Sequence, residues 1–162
     1  MFKINKQPIA AAVLAACLSA GVQVALAQGH GHSHNEGAPA QLTLNDGKKW
    51  ATDSHLRQGM TNIRTAMATE LPAIHSGETT AQQYQALAQK VNDQISFILR
   101  NCKLERDADA MLHLVLAELI AGADAMTGKN GPDDRRHGAE KIVHALESYA
   151  TYFDQPDWRG VK

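Results

Sequence analysis

Between Asp53 and Pro156 the apolar residues recur three and four positions apart in four separate runs. The first run is Leu56, Met60, Ile63, Met67 and Leu71, with Asp53 as a candidate N-cap and Pro72 as a kink or stop. The second is Tyr84, Leu87, Val91, Ile95, Ile98 and Cys102, opened by Thr80 and Gln83 in capping-box spacing. The third starts near Asp107, carries Ala108, Leu112, Val115, Leu119 and Met126, and stops before Gly128. The fourth follows Gly131-Pro132, with Asp133 and Asp134 in its first turn and Ala139, Val143, Leu146, Ala150 and Phe153 as its stripe. This spacing belongs to amphipathic helices. Four such helices, each about 25–36 Å long at 1.5 Å per residue and joined by short loops, predict an all-α fold: an antiparallel up-down-up-down four-helix bundle.

Upstream the pattern changes. Residues 41–50, QLTLNDGKKW, alternate briefly and turn at Asn45-Asp46-Gly47, which predicts an extended lead-in with Trp50 packing on the first helix. Residues 28–40, QGHGHSHNEGAPA, hold nothing that can fill a core and predict a disordered, His-rich tail. Residues 1–27 begin with Lys3 and Lys6, continue through an alanine-rich apolar stretch and end on Ala25-Leu26-Ala27. These are the three parts of a secretory signal. Ser19, Gly21 and Gln23 interrupt the stretch and no charged stop follows, so a membrane span is not expected. Leu14-Ala15-Ala16-Cys17 offers a lesser alternative, a lipobox that would anchor the chain by lipid at Cys17. The expected organisation is a signal over 1–27, tail and lead-in over 28–50, and the bundle over 51–162, located in the periplasm.

Removal of the signal takes two basic residues and leaves fourteen Lys and Arg against seventeen Asp and Glu. A mildly acidic chain without a basic stripe argues against nucleic acid. Cys102 becomes the sole cysteine, so no internal disulfide can form.

Chemistry is then sought among the histidines and soft side chains. Cleavage after Ala27 would leave Gln28-Gly29-His30 at the N-terminus, whose amine, amides and imidazole can wrap Cu(II) or Ni(II) in a square plane. His32 and His34 add two imidazoles. In an antiparallel bundle Met60 and His113 lie at similar depth, roughly 10 Å from one end at 1.5 Å per residue, with His55 and Cys102 nearer its rim. Met60, Cys102 and His113 form a soft set suited to copper, and a Met/His pair can ligate haem iron. The same three are also ordinary packing or boundary residues. His137 and His144 are seven residues apart, about 10.5 Å along a helix, too far for one ion to join. With Lys141, Ser148 and Thr151 they read as a solvated face, and His75 reads as a loop residue. Glu70, Glu118 and Glu140 lack the Glu-x-x-His pairing of di-iron bundles. No C-x-x-C-H, nucleophile elbow or triad context occurs.

The stretches LNDGKKWATDSHLRQGM, NCKLERDADAMLHLVLAEL and YFDQPDW together resemble an uncharacterised family of small exported proteobacterial helical proteins. That resemblance implies Trp50, Met60, Cys102, His113 and Trp158 as matching positions and carries no mechanism. The overall plan is similar to periplasmic four-helix b-type cytochromes, which hold haem between a methionine on the first helix and a histidine near the end of the last. Here the last helix has His144 near its middle, so haem would need His113 instead. The leading expectation is a non-enzymatic periplasmic protein that binds metal ions, copper first, with nickel or zinc as alternatives. The rivals are a helical sensor or adaptor for a periplasmic partner protein and a haem electron carrier.

Overall fold

The first turn of the first helix is held by Asp53, whose carboxylate accepts from the Leu56 N–H at 2.7 Å. From there a computed structural model, which describes residues 41–129 and 131–161, carries four helices. They are α1 (Ser54–Ser76), α2 (Ala81–Asn101), α3 (Arg106–Met126) and α4 (Pro132–Tyr152). Among the described residues there is no strand, only two isolated β-bridges. No described helix is long and apolar enough to cross a membrane. The signal stretch and the His-rich tail lie outside the described residues.

Each boundary has a local cause. Pro72 does not end α1; the helix continues to Ser76, so His75 stands in its last turn and not in a loop. The stop is Gly77, in the left-handed conformation at φ 74°. Its N–H reaches the Ile74 carbonyl at 3.2 Å, and the Glu78 N–H reaches that of Ala73 at 2.9 Å. This Schellman closure satisfies carbonyls the helix leaves open. At the start of α2 the expected capping box forms: Thr80 Oγ1 accepts from the Gln83 N–H, and Gln83 Oε1 accepts from the Thr80 N–H. Gly131 precedes α4, with Pro132 as its first residue.

The stripes of α1, α2 and α3 point inward as the spacing predicts, except that Cys102 at the end of α2 is only half-buried. On α4 the buried set is Ala139, Ile142, Ala145, Leu146, Tyr149 and Phe153, so Ile142, Ala145 and Tyr149 join the expected stripe while Val143 and Ala150 move to its edge. No polar or charged residue is buried among the described ones. Helix packing is consistent with a bundle: α3 lies on α4, α2 bridges α1 and α3, α4 meets α1 sparingly, and the backbones of α1 and α3 make no close approach.

Glycines set the closest approach. A Cβ on Gly122 would stand 2.6 Å from Ile142 Cγ1 and 2.8 Å from the Gly138 carbonyl oxygen. One on Gly138 would stand 2.6 Å from the Gly122 carbonyl oxygen and 2.7 Å from the Met126 nitrogen. The backbones of α3 and α4 therefore touch where neither carries a side chain. Gly59 on α1 likewise leaves room for Ile98 on α2, and Asn62 Nδ2 donates to Gln94 Oε1 at 2.9 Å nearby.

The two ends of the described chain close on one another. Asn45 and Lys48 exchange both backbone hydrogen bonds around Asp46 and Gly47, which have φ of 48° and 81°. This is the turn predicted there, of the type that needs positive φ at both central residues. Trp50, expected on α1, pairs with the backbone at the end of α4: its N–H donates to the Tyr152 carbonyl and its carbonyl accepts from the Asp154 N–H, both at 2.8 Å. Thr52 Oγ1 adds a bond to the Asp154 carbonyl at 2.6 Å. Beyond α4, Gln155 and Trp158 lie against the sparse α1–α4 seam. Tyr149 OH donates to Gln155 Oε1 at 2.8 Å, and Gln155 Nε2 donates to Thr61 Oγ1 on α1 at 2.9 Å. Trp158 meets Tyr149 edge-on at 5.0 Å and lies under the Arg64 guanidinium.

Because α3 and α4 meet backbone to backbone, Gly138→Ala is expected to destabilise the fold by about 1–3 kcal/mol through overpacking. A helix-interior Gly→Ala change would otherwise gain roughly 0.5–1 kcal/mol. Urea unfolding of the variant beside the parent chain measures the sign; a gain in stability would refute the close contact.

Candidate metal-binding positions

The expected soft side chains separate into three surroundings. His30, His32 and His34 lie outside the described residues. Met60 is 0 % exposed, in the core beside Leu56 and Ile63. His113 is on the surface of α3 with 58 % of its side chain exposed. The backbones of α1 and α3 make no close approach, and with Met60 enclosed in the core and His113 at the surface the structure does not bring the two together as expected. Equal depth along two helices is not proximity when they stand on a diagonal and one side chain faces outward.

Cys102 and His113 do come together. They line one groove of about 210 Å³, with Asp109, Leu112 and Leu116 of α3 and Ile98 and Leu99 of α2. Cys102 caps α2, its N–H donating to the Ile98 carbonyl at 2.9 Å. One helical turn after Asp109, His113 places Nδ1 at 2.9 Å from the Asp109 carbonyl oxygen. A carbonyl can only accept, so Nδ1 carries the proton in this bond, and in the neutral imidazole the lone pair is then on Nε2. That is the arrangement a ligating imidazole uses, its second nitrogen oriented by a hydrogen bond. The Asp109 carboxylate stands 3.5 Å from the same Nδ1.

The thiol is held in its neutral form. Burial pushes the Cys102 pKa up first, and the charge of Asp53, the hydrogen bond to it and the charge of Asp109 push further, to about 12. The thiolate is the nucleophile and the metal ligand, so an ion entering this groove must displace a proton. Asp53 is the counterpart. Partial burial raises its pKa, but hydrogen bonds from the Leu56 N–H, the Lys103 N–H and the Cys102 thiol, with the charge of His55, outweigh burial and hold the carboxyl below its ordinary range. Its second oxygen accepts from the Lys103 N–H at 2.6 Å. Asp53 is thus more than the N-cap the sequence suggested; it ties α1 to the α2–α3 loop. Its partners are 49 and 50 residues away in the chain, and no local spacing announces them.

The remaining histidines stand elsewhere. The His55 ring lies 6.0 Å from Phe97. His75, Glu140 and His144 share a groove between α1 and α4, and His137 lines a neighbouring one. The spacing along α4 was visible in the sequence, but the groove exists only because α1 runs on past Pro72 to bring His75 there. Among the described residues no three His, Cys, Asp or Glu side chains, as they stand, converge on a point that could hold an ion. No family model, no curated protein and no solved structure matches the chain.

Asp53→Ala is expected to cost about 1–2 kcal/mol for the lost cap. A carboxyl whose pKa is lowered by folding contributes stability above its unfolded pKa and loses it as pH falls through the folded value. The gap between parent and variant should therefore narrow on acidification below pH ~4, as read by unfolding at several pH values. The same substitution removes a charge and an acceptor from beside Cys102, so iodoacetamide should alkylate the thiol faster at pH 8–9. Equal rates would show that Asp53 does not restrain it.

Proposed function

We propose that this chain is a non-enzymatic periplasmic metal-binding protein, for copper foremost, with nickel and zinc as alternative ions. Ions are captured by His30, His32 and His34, and a second, softer position lies at Cys102 and His113. The observation that carries the second position is the groove that both side chains line, with His113 Nδ1 turned to the Asp109 carbonyl. Met60 serves the core in this reading. The bundle belongs to the antiparallel up-down-up-down class. In support, Gly59 faces Ile98 while Asn62 faces Gln94, and Gly122 faces Gly138 while Glu118 pairs with Lys141, so rising numbers on one helix meet falling numbers on the next. A b-type haem has weaker support, since Met60 is enclosed and His113 is exposed.

The rival reading, an adaptor for a periplasmic protein, is favoured by Leu99, 55 % exposed beside the same groove. Isolated exposed leucines are ordinary, so the groove's donors outweigh it.

The test is copper titration of the purified exported chain, its 28–34 deletion, Cys102→Ser and His113→Ala. Loss of the tail should abolish the Cu(II) visible band. Each groove variant should weaken Cu(I) binding by about 10-fold or more, the scale seen even for outer-sphere partners. Because the thiol proton leaves on binding, Cu(I) affinity at the groove should rise with pH. Binding no tighter than that of a generic peptide in every form would end the metal reading, and a Soret band in the isolated chain would support haem.

A further inference from the structure

Beyond Asp154 the chain turns and runs along the seam between α1 and α4. Pro156 and Asp157 make the turn: the Trp158 N–H reaches the Gln155 carbonyl at 3.3 Å, and Asp157 has φ 60°, the positive value that a turn with proline second takes at its third residue. Three side chains, each three residues after the last, then meet successive levels of α1. Gln155 Nε2 reaches Thr61 Oγ1 at 2.9 Å, Trp158 lies 5.9 Å under the Arg64 guanidinium, and Val161 lines the groove with Leu71 and Ile74. On the α4 side Tyr149 meets Gln155 and Trp158, and Val143 lines the groove that Val161 enters. Arg64 and Leu71 are seven residues apart, about 10.5 Å along a helix at 1.5 Å per residue. Three extended residues, from Trp158 to Val161, span about 10–11 Å. We propose that the seam is a docking groove for this segment, filled in cis by residues 155–161, and that the same segment of a second copy of the chain can take its place.

Two features make the occupant exchangeable. The first is how the segment is held. Its last backbone tie to the rest of the chain is the Asp154 N–H on the Trp50 carbonyl. Among the described residues, the only backbone–backbone bond within 155–161 is the one inside its own turn. Side chains alone fasten it, and such segments open locally at little cost. The second is what it leaves behind. The core is built by side chains of all four helices, with Trp158 and Val161 packed only against its edge, so opening does not dismantle it. What opening exposes is a seam between two helices that approach one another sparingly, with an amide partner at Thr61, a ring at Tyr149 and apolar side chains at Leu71, Ile74 and Val143. These stations read an amide, an indole and a branched aliphatic side chain three positions apart. A second copy carries the same pattern. Tethering gives the cis segment a high effective concentration, so it holds the groove in a dilute chain.

The test uses the full chain carrying Trp158→Ala, which weakens the cis segment and keeps Thr61, Arg64 and Tyr149. The probe is a fluorescein-labelled peptide of residues 154–162, standing for the segment of a second copy. The variant should keep the helix signal of the parent in far-UV circular dichroism. By anisotropy it should bind the peptide about tenfold or more tighter than the parent does, because the parent's affinity is reduced to the fraction of chains whose groove is open. The peptide with Trp158→Ala should bind about tenfold or more weaker, as for a buried aromatic anchor. Equal peptide binding by parent and variant, or none by a variant with intact helix signal, would overturn the proposal. So would loss of the helix signal in the variant, since the helices are to stand without the segment. A second measurement leaves the groove whole. Trp50→Phe keeps the backbone bonds of residue 50, loses the indole bond to the Thr43 carbonyl, and makes Trp158 the sole tryptophan. Trp158 emission should shift to the red at lower urea than the helix signal is lost; coincident transitions would mean that segment and helices unfold as one and would overturn the proposal. No metal is added in either experiment, so the outcome is separate from the copper titration.

Discussion

Asp53 gathers backbone from both sides of a turn of the fold that is distant in sequence. One oxygen closes the first turn of α1, the other holds the Lys103 N–H, and the thiol of Cys102 donates to the same carboxylate. The start of α1 is thereby fixed against the end of α2, and the α2–α3 loop leaves in the direction that brings His113 alongside Cys102. A carboxylate that accepts three hydrogen bonds stays ionised. Its charge adds to burial in keeping the neighbouring thiol protonated, so the same carboxylate bears on both the local architecture and the chemical state of Cys102. In the groove beside it the sulfur would have to release its proton before acting as a thiolate.

Helix identity was legible because α1, α2 and α3 each bury a stripe of ordinary three-and-four spacing. α4 was less so. It packs on α3 through Gly138 and Ile142 and also faces the C-terminal segment through Tyr149. Its buried arc is therefore wider than one stripe, and Ala139, Val143 and Leu146 alone understate it. Pro72, expected to kink or stop the first helix, does not stop it, for a different reason. Proline removes one N–H and disturbs one carbonyl, and at an exposed position with Leu71 and Ile74 anchored in the core on either side, the helix runs past it. Gly77, with its positive φ, ends the helix instead.

The site was legible only in part, since depth along a helix is a one-dimensional measure. It set Met60 and His113 at comparable levels, but which helices are neighbours and which way a side chain points are decided by packing. Packing placed α1 and α3 on a diagonal, turned Met60 inward and left His113 outside. The Cys102–His113 proximity survived because α2 and α3 are joined by a short loop, so the end of one and the start of the next must be adjacent. Contacts of that kind are local in sequence and readable; those of Asp53 with Lys103, or of His75 with the α4 groove, are not.

The α1–α4 seam is where this bundle departs from a simple ring of four helices. Those two helices are the first and last, so no loop joins them, and their direct contact is the weakest of the neighbouring pairs. The chain fills the gap from its own ends. Trp50 pairs with the backbone leaving α4, Gln155 links Tyr149 to Thr61, and Trp158 wedges its ring between Tyr149 and Arg64. These bonds lie toward the Asp53 end of α1. At the opposite end the seam holds a groove lined by Leu71, Ile74, Val143 and Val161, together with His75, Glu140 and His144. An element that must be closed without a connecting loop is where an added cross-link has most to do. At one end hydrogen bonds and aromatic contacts perform that closure; at the other the same C-terminal segment reaches the groove through Val161.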